Sequence, residues 1–361
     1  MYNTTSMYNT RRENENTMSY FIKRHIPLWA LLLAMALSCS RRGGETGSGS
    51  EADDSLAIPS ASYISDVYDQ GRTEACWVYA FCACVEQEAA LRGDSLLLSR
   101  QWLMAHLMEE QTLERYEILS GGDELTDGGR GTIAMRGVGP DAERLIENYG
   151  LVPYQQERSR INSSRVLERK LRLMADDAVA RRQTRAQLQE RIETLMPRFT
   201  VARHMKLTHD VEDGEGESFY YLSMRYTPQQ FAESVMYYQR WHWYASEQTH
   251  PWNESFALEV PDNRRYCEYV NKPMKEILQM VRESLQEGHA VYWEYGKEPS
   301  AQKGGGGASS DHAMAIVGLH EGGFVCRNSY GSNWGSNGYC LVTEDFFMKH
   351  TCSVGIVEII E

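Results

Sequence analysis

The stretch that most restricts the fold of this chain is residues 69–81, DQGRTEACWVYAF, where a polar loop leads into an apolar segment. Gly71 interrupts regular structure in the first half of the stretch. From Cys76 through Val85 the residues are small, aromatic or apolar, the acids Glu86 and Glu88 follow, and Gly93 is a stop signal, which predicts a helix over residues 77–92. The sequence therefore predicts a cysteine at or near a helix N-terminus.

The predicted position of Cys76 has a chemical consequence. The unpaired N–H groups and the dipole at a helix N-terminus favour an anion, so we expect a lowered thiol pKa and a nucleophilic thiolate. Gln70 lies six residues before Cys76, and its amide can swing back to donate a hydrogen bond near the sulfur, as an oxyanion donor must. The alternative is that Cys76 is a buried core cysteine, since cysteine is among the most buried residue types.

A second set of polar residues lies in the last quarter of the chain. Residues 311–318, DHAMAIVG, form a predicted strand bounded by glycine clusters, with His312 at its start. Residues 324–327 form the next predicted strand and lead directly into Asn328. The segment that begins there, NSYGSNWG, occupies residues 328–335 and has six fixed positions at fixed spacing, which is unlikely to arise by chance.

These segments together resemble the papain family of cysteine peptidases. The family has the same Gln-to-Cys spacing, a Trp after the Cys, and the Asn-Ser-aromatic-Gly-x-x-Trp-Gly segment. The chain departs from the pattern before the cysteine, where Glu74-Ala75 replaces Gly-Ser and Thr73 replaces a Cys, so the familiar disulfide beside the nucleophile is absent. Tyr330 stands where the family has Trp.

The resemblance implies a role for each of four residues. Cys76 attacks the acyl carbon, and His312 keeps the thiol ionised and later protonates the leaving amine. Asn328 orients His312, and Gln70 stabilises the oxyanion together with the Cys76 backbone N–H. We expect no cofactor and no metal, because no Cys/His cluster shows zinc-ligand spacing.

Glycines at 128 and 129 are candidates for the substrate cleft. Asp127-Gly128-Gly129 resembles the family segment whose backbone pairs with an extended substrate, and glycine permits that close approach. An ordinary glycine turn is the alternative. The other residues expected to line the cleft are Trp77, Asp311, Tyr330 and Trp334.

The resemblance is closest to the bleomycin hydrolase branch of the family. YGLVPY at residues 149–154, TPQQF at 227–231 and VNKPMKEI at 270–277 carry it, and it extends over residues 62–361. It implies an α+β, two-lobed fold, with a helical lobe and an antiparallel β-rich lobe, in one peptidase domain over residues 58–361. Residues 155–226, where the resemblance is weakest, are mixed in charge, and we interpret them as a solvated helical insertion rather than a nucleic-acid patch.

The N-terminal residues have the pattern of a processing segment. Lys23, Arg24 and His25 precede an apolar run at 26–37, which is too short to span a bilayer comfortably. The run ends beside Cys39, in a sequence that resembles a bacterial lipoprotein cleavage box. We therefore expect residues 1–38 to be removed, Cys39 to carry lipid, and residues 39–57 to form a tether from the cell envelope. An ordinary secretory signal is the alternative, and Met18 would be a more conventional start.

The expected activity is hydrolysis of peptide or protein substrates by an enzyme anchored to the membrane through Cys39. A net charge of −13 argues against nucleic acid as a general partner, and the oligomeric state stays open. Two alternatives are a non-hydrolytic binding protein that keeps the fold and a Cys-His acyltransferase. Residues 352–360 are a predicted final strand with one residue after it, which favours an open cleft and endopeptidase over aminopeptidase activity.

Overall fold

The computed structural model describes residues 66–122, 131–154, 164–196, 218–246, 256–258, 267–296 and 312–360. The chain divides into two units, Met1–Ser55 and Leu56–Glu361, and every described residue belongs to the second. The predicted signal, the lipidation site Cys39 and the tether therefore lie outside the described residues.

Helices dominate the first half of the described chain. The five helices before residue 196 are α1 (Cys76–Leu91), α2 (Arg100–Gly121), α3 (Gly139–Tyr149), α4 (Ser164–Ala180) and α5 (Arg185–Leu195). Ser99 caps α2 by accepting a hydrogen bond from the Trp102 N–H, as serine does at such positions. We refer to these five helices as the helical lobe.

The second half is built around an eight-stranded sheet. Its strands are β3 (Gln239–Ser246), β4 (Phe256–Leu258), β5 (Cys267–Lys272), β6 (Val291–Tyr295), β7 (His312–His320), β8 (Gly323–Arg327), β9 (Tyr339–Thr343) and β10 (Thr351–Ile359). The strand order is β4-β5-β3-β10-β6-β7-β8-β9, and every pair is antiparallel except β3 with β5. The α+β fold expected from the sequence is thus confirmed.

The remaining elements are a hairpin and three helices. They are β1 (Phe219–Tyr221), β2 (Met224–Tyr226), α6 (Pro228–Met236), α7 (Met274–Gln286) and α8 (Glu344–His350). Thr227 and Gln230 form a capping box at the start of α6, where the sequence TPQQF predicts a helix. The region interpreted as a helical insertion contains α4 and α5, and it also contains the hairpin, which the sequence analysis did not predict.

Helix α1 is the central element of the helical lobe. Its residues from Trp77 to Ala89 are all buried, including Glu86, Gln87 and Glu88. Each of these three has a polar partner: Glu86 pairs with Arg100, Gln87 donates to the Gly288 carbonyl, and Glu88 contacts His289. The polar groups of α1 are therefore satisfied in the interior, as buried polar groups generally are.

Strand β7 is buried on both of its faces. Ala313, Ala315 and Val317 belong to the core that also contains α1, and these small side chains allow the helix to lie close to the sheet. Met314 and Ile316 point to the opposite face and pack in a second core, formed with α7 and α8. Because β7 starts at His312 beside α1, the sheet and the helical lobe meet where the predicted site residues lie.

Candidate active site

Cys76 is the first residue of α1, at the end of the helix that faces strand β7. Ala75 precedes it and supplies no side-chain cap, so its side chain occupies none of the N–H groups of the first turn. The backbone N–H groups of Ala313, Trp77 and Cys76 itself interact with the sulfur. Since Ala313 follows His312 directly, this contact places the thiol beside the start of β7.

The protonation of Cys76 differs from the sequence-based expectation. Burial raises the pKa of the Cys76 thiol to about 11, and the Glu294 carboxylate acts in the same direction. The N–H groups of Cys76 and Trp77 at the helix N-terminus and that of Ala313 on β7 all lower the pKa, but the loss of solvation outweighs them. The prediction of a lowered pKa from the helix alone was therefore wrong, and a thiolate at neutral pH requires a proton acceptor beside the sulfur.

His312 is held by Asn328 in one tautomer. The distance between His312 Nε2 and Asn328 Oδ1 is 2.8 Å, and the backbone N–H of Ser329 donates to the same Oδ1 at 2.7 Å. A backbone N–H can only donate, which identifies this Asn328 atom as the oxygen and makes His312 Nε2 the donor. In neutral His312 the proton therefore sits on Nε2, and Nδ1 is the nitrogen that can accept a proton.

Aromatic rings enclose the imidazole. The ring of Tyr330 stacks on His312 with centroids 5.1 Å apart and an interplanar angle of 17°, and Tyr295 contacts it edge-on at 5.8 Å. Trp334 packs in turn against Tyr330 at 5.6 Å. His312 and Asn328 are buried, whereas Tyr330 is 41% exposed, so Tyr330 separates the His312–Asn328 hydrogen bond from solvent.

Gln70 is fixed in a loop that is joined to the Asn328 segment. Its backbone N–H donates to the Ser329 carbonyl at 2.8 Å, and its side-chain oxygen accepts from the Ser329 hydroxyl at 2.5 Å. Its side-chain nitrogen donates to the Thr73 carbonyl at 2.7 Å. An amide nitrogen carries two N–H groups, so one N–H of Gln70 is available for a second acceptor.

Further backbone contacts join the same two loops. The N–H of Gly331 donates to the Tyr68 carbonyl at 3.1 Å, and Asp69 forms an isolated antiparallel bridge with Tyr330. The loop before α1 and the loop after β8 thus pair over several residues. This pairing brings Gln70, Cys76, His312 and Asn328 to one end of α1.

Trp77 lies in the interior rather than on an exposed wall. Its side chain is 1% exposed, and its Nε1 donates to the Met135 carbonyl at 2.9 Å. A Cβ at Gly137 would lie 2.7 Å from the Trp77 indole, so only glycine permits this approach. Trp77 therefore packs against the backbone near Gly137 from the interior of the protein.

The backbone supported by Trp77 was not recognised from the sequence as part of the site. We call residues 134–139 the flanking segment. Side chains accept hydrogen bonds from four of its backbone N–H groups: Gln111 from Ala134, Glu168 from Met135, Asp141 from Val138 and Glu294 from Gly139. The available signal was the pattern Gly137-Val138-Gly139-Pro140, whose last two residues begin helix α3.

Four of the predicted cleft residues, Asp127, Gly128, Gly129 and Asp311, lie outside the described residues. Across the described ranges, no group of His, Cys, Asp and Glu is arranged to hold a metal ion. In that same part of the chain, every helix is too short or too polar to cross a bilayer.

Comparisons with known proteins give a match at the level of structure. No family model and no curated protein matches the chain. The crystal structure of PepW from Lactobacillus rhamnosis HN001 is similar with a TM-score of 0.62 and 15% identity, covering 95% of this chain and 91% of that one.

Two other solved structures are similar at a lower level. Xylellain, a cysteine protease from Xylella fastidiosa, has a TM-score of 0.37 and 12% identity, covering 82% of this chain and 84% of that one. A cysteine protease from Carica candamarcensis has a TM-score of 0.34 and 14% identity, covering 82% and 94%. The fold that the chain shares with PepW is the papain-like, two-lobed α+β fold expected from the sequence, with a helical lobe and an antiparallel β-rich lobe.

Proposed function

We propose that this chain is a cysteine peptidase that hydrolyses peptide bonds through Cys76, His312 and Asn328. The observation that carries the proposal is the hydrogen bond between His312 Nε2 and Asn328 Oδ1, beside a helix N-terminus that presents Cys76. Burial raises the pKa of the Cys76 thiol, so forming the thiolate requires a base that accepts its proton. Because Asn328 fixes the tautomer of His312, the nitrogen on the other side of the ring can act as that acceptor.

The reaction follows from these groups in two halves. Cys76 transfers its proton to His312 Nδ1, and the thiolate attacks the carbonyl carbon of the scissile peptide bond. The Cys76 N–H and the second side-chain N–H of Gln70 stabilise the resulting oxyanion. The C–N bond then breaks, with the proton of His312 going to the leaving amine, and water hydrolyses the acyl-enzyme to release the acid and the thiol.

The flanking segment is our candidate for the backbone that binds the substrate. Side-chain acceptors and the Trp77 indole hold it in place, and the absence of a side chain at Gly137 lets this backbone lie directly against the indole. An extended peptide that pairs with the backbone near Gly137 would gain main-chain hydrogen bonds independently of its sequence. We retain Tyr330 and Trp334 as further contacts of this cleft.

Labelling with a peptidyl epoxide, followed by mapping of the modified residue, tests the proposal. We expect label on Cys76, and loss of both label and peptide cleavage in Cys76→Ala. Cys82→Ala is the matched control, because Cys82 is a buried thiol of the same helix and its loss should leave labelling intact. Full cleavage by Cys76→Ala would overturn the proposal, and tight peptide binding without cleavage by the native chain would identify a binding protein instead.

Product analysis separates hydrolysis from acyl transfer. In the presence of a competing amine, a peptidase releases mainly the free acid, whereas an acyltransferase releases the amide. Internally quenched peptides with both termini blocked give the cleavage mode. We expect them to be cut, and cleavage restricted to peptides with a free amino terminus would show an aminopeptidase.

We further propose that Cys39 carries lipid and holds the enzyme at the cell envelope. The support is the basic residues at 23–25, the apolar run at 26–37 and the Ser-Cys pair that follows. Metabolic lipid labelling should be lost in Cys39→Ala, and the protein should leave the membrane fraction. Retention in that fraction would indicate a different anchor.

A further inference from the structure

The most enclosed carboxyl group near Cys76 has no role in the proposed chemistry. Glu294 is 3% exposed and lies on β6, paired across the sheet with Ala313 on one side and Ser353 on the other. Ala313 is the residue whose N–H interacts with the Cys76 sulfur. Glu294 is therefore next to the proposed nucleophile in the interior of the protein.

The carboxyl group of Glu294 joins three parts of the chain. Its Oε1 accepts from the Gly139 N–H at 3.0 Å and also from the Tyr292 hydroxyl. Its Oε2 accepts from the Ser353 hydroxyl at 2.9 Å. Tyr292 and Ser353 belong to the sheet, whereas Gly139 ends the flanking segment and begins helix α3 of the helical lobe.

Close packing at Gly139 makes this junction sensitive to the position of the backbone. A Cβ at Gly139 would lie 2.2 Å from the Trp243 ring and 2.6 Å from the Tyr292 ring. The Gly139 N–H thus reaches Glu294 because no side chain separates this backbone from the sheet. The two ends of the flanking segment are anchored differently, by the Trp77 indole at Met135 and by Glu294 at Gly139.

We propose that Glu294 is a positioning residue that sets the flanking segment at the correct distance from Cys76 for binding an extended peptide. This role rests on the proposed peptidase function and concerns substrate binding rather than the chemical step. Without the carboxyl group, the Gly139 N–H loses its acceptor in a buried place, and an unpaired buried donor favours displacement of its backbone. The reactivity of the Cys76 thiol toward small reagents does not depend on that distance.

Two irreversible reagents separate these effects. Iodoacetamide reports the intrinsic reactivity of Cys76, and a peptidyl epoxide reports reactivity after an extended peptide binds. For Glu294→Ala we expect the rate constant with the epoxide to fall about tenfold and the KM for a blocked peptide to rise by a similar factor. The kcat should change by about twofold or less, and the rate constant with iodoacetamide should stay the same or rise, because the lost carboxylate is one that raises the pKa of Cys76.

Glu294→Gln tests whether hydrogen bonding carries the effect. The Gln oxygen can still accept from the Gly139 N–H and from the Tyr292 hydroxyl, which both contact Oε1, and the Ser353 hydroxyl can accept from the Gln nitrogen instead of donating. We therefore expect this variant to retain the native ratio of the two rate constants. If Glu294→Ala does not fold, Tyr292→Phe removes one of the three donors and should lower the ratio about threefold.

Glu88→Ala is the matched control for general damage to the interior. Glu88 is also a buried carboxyl group that accepts a backbone N–H across elements, from Ala290, but it lies near the far end of α1 from Cys76. Its loss should leave the ratio unchanged, and an equal fall in this control would overturn the positioning role. If the native chain reacts faster with the epoxide than with iodoacetamide and Glu294→Ala keeps that ratio, the positioning role alone is overturned. If the native chain itself shows no preference for the epoxide, the peptidase proposal is overturned as well.

Discussion

His312 Nε2 lies 2.8 Å from Asn328 Oδ1, and the Ser329 backbone N–H donates to the same oxygen. The adjacent backbone N–H thus fixes the Asn328 side chain, which in turn orients the imidazole of His312. The consequence is that His312 can exchange a proton only through Nδ1, on the side of the ring opposite the asparagine.

Replacing Asn328 with Ala should lower kcat on the order of tens-fold, because a misoriented imidazole loses part of its acid–base contribution. Steady-state kinetics on a blocked fluorogenic peptide measures the effect. Asn333→Ala is the control, since Asn333 is an exposed asparagine in the same loop. An unchanged kcat in Asn328→Ala would show that another residue orients His312.

Replacing His312 with Ala should move the pH dependence of Cys76 alkylation upward. Burial raises the pKa of the thiol to about 11, so without an imidazole to accept its proton the thiol should react appreciably only in strongly alkaline solution. The native chain should react near neutral pH. Iodoacetamide rates measured from pH 5 to 11 give both profiles. Coincident profiles would mean that His312 does not activate Cys76.

Tyr330 should contribute to catalysis through the shape of its side chain. It stacks on His312 and covers the hydrogen bond to Asn328, so Tyr330→Ala should admit water and lower kcat by several-fold. Tyr330→Trp, with a larger ring, should retain or exceed the native kcat, and Tyr330→Phe should resemble the native enzyme. A drop in kcat for Tyr330→Phe that equals the drop for Tyr330→Ala would assign the effect to the hydroxyl instead.

A second histidine should give the fold a pH-dependent stability. The Glu88 carboxyl contacts His289 Nδ1 at 2.8 Å, and this hydrogen bond raises the pKa of His289 above its usual 6.5. The stabilisation is present below the pKa of the unfolded chain and is lost as pH rises through the folded pKa. The midpoint temperature of thermal unfolding should therefore fall as the pH rises from the unfolded-state pKa of His289 through its folded-state pKa.

The variant His289→Gln removes this titration while keeping a hydrogen-bond donor beside Glu88. Its thermal midpoint should vary less over the same pH interval than that of the native chain. Differential scanning calorimetry at several pH values measures the difference. An identical pH slope in both proteins would exclude His289 as the source.

Local patterns account for most of the elements that were predicted correctly. The helix at Cys76, the cap at Ser99 and the strand beginning at His312 each depend on residues that are close in sequence. The hairpin between residues 219 and 226 was missed because it lies in the mixed-charge region that was interpreted as a helical insertion. The flanking segment was missed because side chains hold it, and its backbone has none of the periodicity of a helix or a strand.

The two halves of the candidate site follow from local sequence, since Gln70 and Cys76 are separated by a short loop and Asn328 directly follows a strand. The surroundings of these residues depend on contacts between segments that are distant in sequence. Gly139 and Glu294 are 155 residues apart along the chain, and their hydrogen bond exists because the helical lobe packs on the sheet at that point. The raised pKa of Cys76 has the same origin: a helix N-terminus is encoded locally, whereas the loss of water around the thiol depends on every element that packs against it.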